Sequence, residues 1–341
     1  MAYTTINKHT DHFNTKLYSG NGSTNAITGV GFQPNWVWVK SRGDGDGHKI
    51  FDSVRGVLKV ISSNNTDTES TYANSLASFD SDGFTVGSTA DMNDSGDTFA
   101  SWNWKAAGST ASNSSGSITS TVSANTTSGF SIVSFTGTGA NATVGHGLGV
   151  APKVIITKSR ANTENWGFYH EDMGNTKQVL LNTTGALTGA SAAYYNNTSP
   201  TSTVFSVGTA DSTNDAANMI AYCFAEKAGY SKFGSYTGNG NANGTFVYLG
   251  FKPAFLIIKK TNATKNWFLH DNKRLGYNPS NSYVNPNEGA AEYAGTDLDI
   301  LSNGFKLTSS GGGHNESGHT YIYMAFGQSL VGSNNVVATA R

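Results

Sequence analysis

Gly31-Phe32-Gln33-Pro34-Asn35-Trp36-Val37-Trp38-Val39-Lys40 decides the reading of the fold, because the pattern returns twice. It recurs as Gly149-Val150-Ala151-Pro152-Lys153-Val154-Ile155-Ile156-Thr157-Lys158 and as Gly250-Phe251-Lys252-Pro253-Ala254-Phe255-Leu256-Ile257-Ile258-Lys259. In each copy the Pro and the closing Lys are six residues apart. A Pro at the head of a strand marks its start without removing a ladder hydrogen bond. Successive strand residues point to opposite faces, so an unbroken apolar run predicts a strand covered on both sides and central in its sheet.

The match extends in both directions. An aromatic residue leads into a Gly-x-Gly turn whose first Gly lies fourteen or fifteen residues before the Pro: Tyr18-Ser19-Gly20-Asn21-Gly22, Phe135-Thr136-Gly137-Thr138-Gly139 and Tyr236-Thr237-Gly238-Asn239-Gly240. Downstream comes a shorter run, His48-Lys49-Ile50-Phe51-Asp52, Trp166-Gly167-Phe168-Tyr169-His170-Glu171 or Trp267-Phe268-Leu269-His270-Asp271, in which His170 and His270 occupy matching positions. Two further runs close each copy, the last spanning 93–105, 214–226 and 315–327, with Phe99, Ile220 and Tyr321 at matching places. Ordered landmarks of this kind are the signature of internal repetition. The expected organisation is an N-terminal tail (1–11), β repeat 1 (12–107), a Ser/Thr/Gly-rich segment (108–128), β repeat 2 (129–228), β repeat 3 (229–330) and a C-terminal tail (331–341). The 108–128 segment reads as a flexible linker or an extended crossing strand. Sustained helical periodicity is missing, although 185–195 could hold one or two helical turns. The fold class is therefore all-β, mostly antiparallel, with three tandem diverged β-sandwich units, each independent or sharing sheets with the next.

Composition agrees. Of 341 residues only 13% are charged, while 40 are Gly, 6 are Pro and 11% are aromatic. That suits many short strands joined by Gly/Asn/Ser turns and does not suit disorder. A net charge of −1 leaves no basic stripe for phosphates, so nucleic-acid binding is not expected. The single Cys223, in an apolar run, excludes an internal disulfide and a Cys-based zinc cluster. The N-terminus carries no apolar leader and no stretch is long enough for a membrane helix, so neither secretion by the general route nor membrane insertion is expected.

Candidate chemistry is sparse. Asp44, Asp46, Asp80 and Asp82 sit in Asp-x-Asp-Gly loops of the kind that hold calcium, or form ordinary Asp-Gly turns. Trp36, Trp38, Trp102 and Trp104 alternate along two strands, as a sugar-stacking platform or as core. His170 and His270, each followed by a carboxylate, would belong to an acid/base pair or to a solvent-facing strand. Lys40, Lys158 and Lys259 could reach the carboxylates near Asp52, Glu171 and Asp271, or solvent. No nucleophile turn, phosphate loop or closely spaced carboxylate pair stands out, so an enzyme is not expected and no cofactor is implied.

The stretch Phe13-Asn14-Thr15-Lys16-Leu17-Tyr18-Ser19-Gly20-Asn21-Gly22, the Pro-led strand to Arg42, Phe79-Asp80-Ser81-Asp82-Gly83-Phe84-Thr85-Val86-Gly87 and Ser101-Trp102-Asn103-Trp104-Lys105 resemble a group of virion structural proteins from tailed phages of marine bacteria and cyanobacteria. Leu249-Gly250-Phe251-Lys252-Pro253, Trp267-Phe268-Leu269-His270-Asp271 and Tyr321-Ile322-Tyr323-Met324-Ala325-Phe326 resemble the same group. The resemblance implies concanavalin-like or jelly-roll sandwiches in a tail fibre or other exposed appendage involved in host attachment. It implies other virion proteins as partners, a homo-oligomer with a trimer favoured, and host surface glycan as a further partner. A capsid decoration protein is the alternative; a glycan-degrading enzyme and a free lectin module rank lower.

Overall fold

The continuous apolar runs become strands because alternate residues enter two different cores. In the strand Trp36–Ser41, Trp36 and Trp38 face one core while Val37 and Val39 face another. The structure, a computed structural model, describes residues 4–274, 278 and 281–330. Residues 1–3 of the expected N-terminal tail and the expected C-terminal tail 331–341 lie outside the described residues.

The first unit contributes β1 (Phe13–Ser19), β2 (Asn25–Thr28), β3 (Trp36–Ser41), β4 (Lys49–Asp52), β5 (Lys59–Val60), β6 (Ser70–Thr71), β7 (Leu76–Asp80), β8 (Gly83–Val86) and β9 (Thr98–Trp104). Next come β10 (Ala111–Asn113) and β11 (Ser120–Asn125). The second unit supplies β12 (Phe130–Thr136), β13 (Ala142–Gly145), β14 (Val154–Ser159), β15 (Gly167–His170), β16 (Val179–Leu180), β17 (Val204–Val207) and β18 (Asn218–Phe224). The third has β19 (Ser231–Thr237), β20 (Phe246–Tyr248), β21 (Phe251–Lys260), β22 (Trp267–Asp271), β23 (Tyr283–Val284), β24 (Leu298–Leu301), β25 (Gly304–Leu307) and β26 (Thr320–Ser329).

The main sheets run β1-β9-β3-β4, β12-β18-β14-β15-β16 and β19-β26-β21-β22-β23, all antiparallel, so one strand order occurs in all three units. Smaller sheets, β2-β8-β7, β13-β17 and β20-β25-β24, cover the outer faces. The 108–128 segment holds β10 and β11, which extend the second main sheet at its β12 edge. The helical content around 185–195 is one turn, Ala192–Tyr195.

Each unit keeps a private core between its two sheets: Val37, Phe84 and Phe99 in the first, Ile155, Phe205 and Met219 in the second, Leu256, Phe305 and Tyr321 in the third. The opposite faces of the three main sheets meet in one common core. Trp36, Trp102 and Trp104 pack there with Ile156, Tyr222 and Phe224 and with Phe255, Met324 and Phe326. All six Trp residues of the chain lie in it. Ile6, ahead of the first strand, is buried in the same core. Antiparallel sheets usually leave one face wet; here both are covered, which is why the strands lack polar alternation.

One buried Asn per unit ties the outer loops together. The Asn93, Asn214 and Asn315 side chains accept from the backbone N–H of Asn21, Thr138 and Asn239, each at 3.0 Å. Their amide groups donate to carbonyls of the same loop and of Gly87, Gly208 and Ser309. The first Gly of each turn is needed for this close approach. A Cβ at Gly20, Gly137 or Gly238 would sit 1.9, 2.0 or 2.3 Å from a backbone carbonyl oxygen.

Candidate functional site

The polar chemistry of the chain collects at the three junctions between units, which close on each other cyclically. At one end of each main sheet a loop of the preceding unit donates a backbone N–H to the residue two past the repeated Lys. These bonds are Glu69 to Arg160 (2.9 Å), Leu187 to Thr261 (2.7 Å) and Glu292 to Arg42 (2.8 Å). Unit 1 thus grips unit 2, unit 2 grips unit 3, and unit 3 grips unit 1.

A second ring of contacts lies deeper. Trp166 Nε1 donates to Ser62 O at 2.9 Å, and Trp267 Nε1 donates to Leu180 O at 3.1 Å. His48 fills the same position in unit 1, facing Asn285 O at 3.1 Å. Its Nδ1 accepts from Trp38 Nε1 at 2.7 Å. An indole N–H can only donate, so the His48 proton sits on Nε2 and points at Asn285. Burial, with Lys40 nearby, holds this ring well below the usual imidazole range, so it is neutral. The backbone N–H groups of His48, Trp166 and Trp267 are anchored by Asn64, Asn182 and Asn287 in turn.

The third ring holds buried charge. Asp52 and Arg55, and likewise Asp271 and Arg274, form ion pairs whose side chains are fully buried. Asp52 Oδ1 accepts from the N–H groups of Val54 and Arg55, and Asp271 Oδ1 from those of Lys273 and Arg274. The neighbouring unit adds a donor each time: Tyr222 Oη to Asp52 Oδ2 at 2.8 Å and Trp102 Nε1 to Asp271 Oδ2 at 3.0 Å. Burial alone would raise the Asp271 carboxyl; the Arg274 guanidinium and two backbone N–H groups outweigh it and hold it below the usual range. Arg55 then reaches Glu69, which bridges to Arg160 with two bonds of 2.9 Å. Arg274 reaches Glu292, which bridges to Arg42 at 3.0 and 3.1 Å.

His170 takes the place of the Asp in unit 2. It pairs across from Val154, as Asp52 does from Trp36 and Asp271 from Phe255. The sequence match of His170 with His270 is therefore offset by one residue, since His270 pairs with Leu256. The match of Ile220 with Phe99 and Tyr321 is offset likewise, and Met219 takes that place in the private core. Both histidines are buried, against the expectation of a solvent-facing strand. His170 Nδ1 accepts from Asp172 N–H, leaving Nε2–H to donate to Tyr323 O in unit 3 at 3.2 Å. His270 lies with its Nε2 3.0 Å from His314 Nε2. Burial lowers both rings, His314 to about 4, so the two form a neutral pair, with Asp297 Oδ2 3.8 Å from His314 Nδ1.

Lys40, Lys158 and Lys259 reach neither solvent nor the strand carboxylates. Each is buried and donates to backbone carbonyls: Lys40 to Ser41 and Asp44, Lys158 to Ser159 and Thr66, Lys259 to Lys265 and Thr184. Desolvation pushes all three down to about 8.

The candidate ligand residues are corrected in the same way. Trp36, Trp38, Trp102 and Trp104 are each no more than 1% exposed, so none can stack on a sugar; shape and apolarity put them in the common core. Asp80 and Asp82 flank and occupy the β7–β8 turn, where Asp80 accepts from Thr85 and Asp82 from the N–H groups of Gly29 and Gly31. Asp44 and Asp46 belong to a different loop, after β3, where the Asp44 carbonyl receives Lys40. Among the described residues no group of three or more His, Cys, Asp or Glu is placed to hold a metal ion. Cys223 is buried, and burial pushes its thiol up. No helix among the described residues is long and apolar enough to cross a membrane.

Arg55 and Arg274 had one signal in the sequence, the shared Asp-x-x-Arg spacing of Asp52-Ser53-Val54-Arg55 and Asp271-Asn272-Lys273-Arg274, which the His-based alignment concealed. Glu69 and Glu292 had none, because their role depends on the neighbouring unit.

No curated protein and no solved structure matches the chain. A family model described as a domain of unknown function, DUF7483, matches residues 8–329, a span that takes in all three units; the chain belongs to that family.

Proposed function

We propose that this protein is a structural component of a tailed-phage particle, in a tail fibre or other exposed appendage that takes part in host attachment. The observation that carries a structural role is where the reactive side chains are used. Asp52, Asp271, His48, His170 and the three buried Lys all hold one unit to another or to its own loops. A catalytic role needs such groups open to a substrate, and these are enclosed. The resemblance of the Pro-led strands and closing strands to phage virion proteins supplies the particle. Labelled antibody against the chain, imaged on purified particles, tests the reading. Label on the tail or its fibres is expected; its absence from particles overturns the proposal.

A second reading, a capsid decoration protein, is favoured by the cyclic arrangement of three similar units within one chain. Such a body suits a local three-fold position on a shell. The same images distinguish the two, since this reading places the label on the shell. A homo-oligomer, trimeric by preference, belongs to the first reading and is tested by light scattering of the purified protein.

A further inference from the structure

The junction between units 2 and 3 departs from the other two. Where those place Arg55, Glu69 and Arg160, or Arg274, Glu292 and Arg42, this one has Met173, Leu187 and Thr261. The equivalence is fixed by backbone: Met173 lies three residues after His170, and Leu187 bonds Thr261 as Glu69 bonds Arg160. Two guanidinium groups and the carboxylate between them are thereby missing. A cleft of about 430 Å³ lies in their place, lined by all three replacing residues.

Met173, Leu187 and Ile322 give the cleft an aliphatic floor, and Asp172, Lys177, Ser235, Asn262 and Thr320 give it a polar rim. Asp172 and Lys177 form no ion pair with each other or with any other described side chain, so one anion and one cation face the cleft and its charge balances. Ser and Thr hydroxyls both donate and accept, the Asp carboxylate accepts and the Lys ammonium donates. The volume falls in the range of small-molecule sites, which run from about 300 to about 1,000 Å³.

We propose that this cleft binds a neutral saccharide, one or two sugar rings deep. A sugar ring offers hydroxyls that both donate and accept, matching the mixed rim. Its C–H face is apolar and matches the aliphatic floor. A phosphate or sulfate would meet the Asp172 carboxylate, and a purely apolar ligand would leave the Asp172, Lys177, Ser235 and Thr320 side chains without partners, the Asn262 side chain being already held by His319 and the Thr320 N–H. The source of the glycan, a host surface, rests on the attachment reading; the chemistry of the cleft does not.

An array of neutral mono- to tetrasaccharides, probed with the full chain and followed by calorimetry on the hits, tests this. The unaltered protein should bind at least one of them. Refilling the junction with Met173→Arg, Leu187→Glu and Thr261→Arg should abolish binding. The milder rim change Asp172→Asn, which leaves the floor and the fold alone, should weaken it about tenfold. The proposal is overturned if no neutral saccharide binds, if only acidic ones do, or if Asp172→Asn binds as tightly as the unaltered protein. Failure here leaves the particle location standing, and a saccharide-binding protein absent from particles would fail the other test alone.

Discussion

At the residue scale the most instructive feature is the Asp–Arg pair that units 1 and 3 bury and unit 2 replaces with His170 and Met173. A buried pair is weak evidence of net stabilisation, but losing one partner leaves an uncompensated charge. Arg55→Met should therefore cost about 3–5 kcal/mol in urea denaturation. Asp52→Asn combined with Arg55→Met removes the charge together with its partner and keeps an acceptor for Tyr222 Oη, so it should cost less than Arg55→Met alone. A double variant no more stable than the single one would show that the charge is not the issue.

Titration follows from the same residues. The Asp271 carboxyl is depressed on folding, so its contribution is present above the unfolded carboxylate value near pH 4 and is lost as pH falls through the folded value. Lys40, Lys158 and Lys259 act in the opposite window. With folded values of about 8 against about 10.4 unfolded, the unfolded chain binds more protons between those limits. Stability should therefore rise from pH 8 to about 9.5. Above about pH 10 it should fall, because the buried Tyr222 and Tyr236 hydroxyls are raised by folding. Denaturation midpoints across pH 7–11 check both limbs, and a flat profile from 8 to 9.5 would contradict the lysine assignment.

At the element scale, the Pro-led strands, the Gly turns and the central position of β3, β14 and β21 were legible in the sequence. Pro34 and Pro152 stand two residues ahead of their strands as expected, whereas Pro253 lies inside β21, which begins at Phe251 and shifts register after Pro253; two-sided burial is a local signal carried by the runs that follow. The fate of the second face was not legible: alternation tells that Trp36 and Val37 point apart, not that Trp36 meets Tyr222 from another unit. The Trp residues were correctly paired as neighbours on one face, yet sequence cannot separate a sugar platform from a core, since both need the same shape. The Asn hubs had a sequence signal in their regular placement near the start of each closing run. Asn214→Ala should cost about 3 kcal/mol, because it removes a buried side chain's bonds to the N–H of Thr138 and to the carbonyls of Ala140 and Gly208. Gly137→Ala should cost at least as much, since its Cβ would meet Asp215 O at 2.0 Å. Thermal melts of the two variants give the comparison.

At the scale of the whole molecule, sharing one core makes the units interdependent. Each main sheet alone would expose the face now covered by the other two, including residues such as Trp104, Phe224 and Phe326 whose rings meet within 6.5 Å. Burying an aromatic side chain is worth about 2–3 kcal/mol, so a unit cut free loses much of the stability of a domain its size. A fragment of residues 129–228 should therefore fail to fold, and its far-UV circular dichroism should lack the strand signal. The family model agrees in extent, matching the three units together across 8–329.

The central claim, three units locked around one core, is tested most directly by equilibrium urea unfolding followed with two probes on one sample. Tryptophan fluorescence reports the common core alone, since all six Trp lie there, while far-UV circular dichroism reports every sheet. Coincident single transitions are expected. A fluorescence change that is complete while most of the strand signal persists would mean that the units stand without their common core, and would contradict the account.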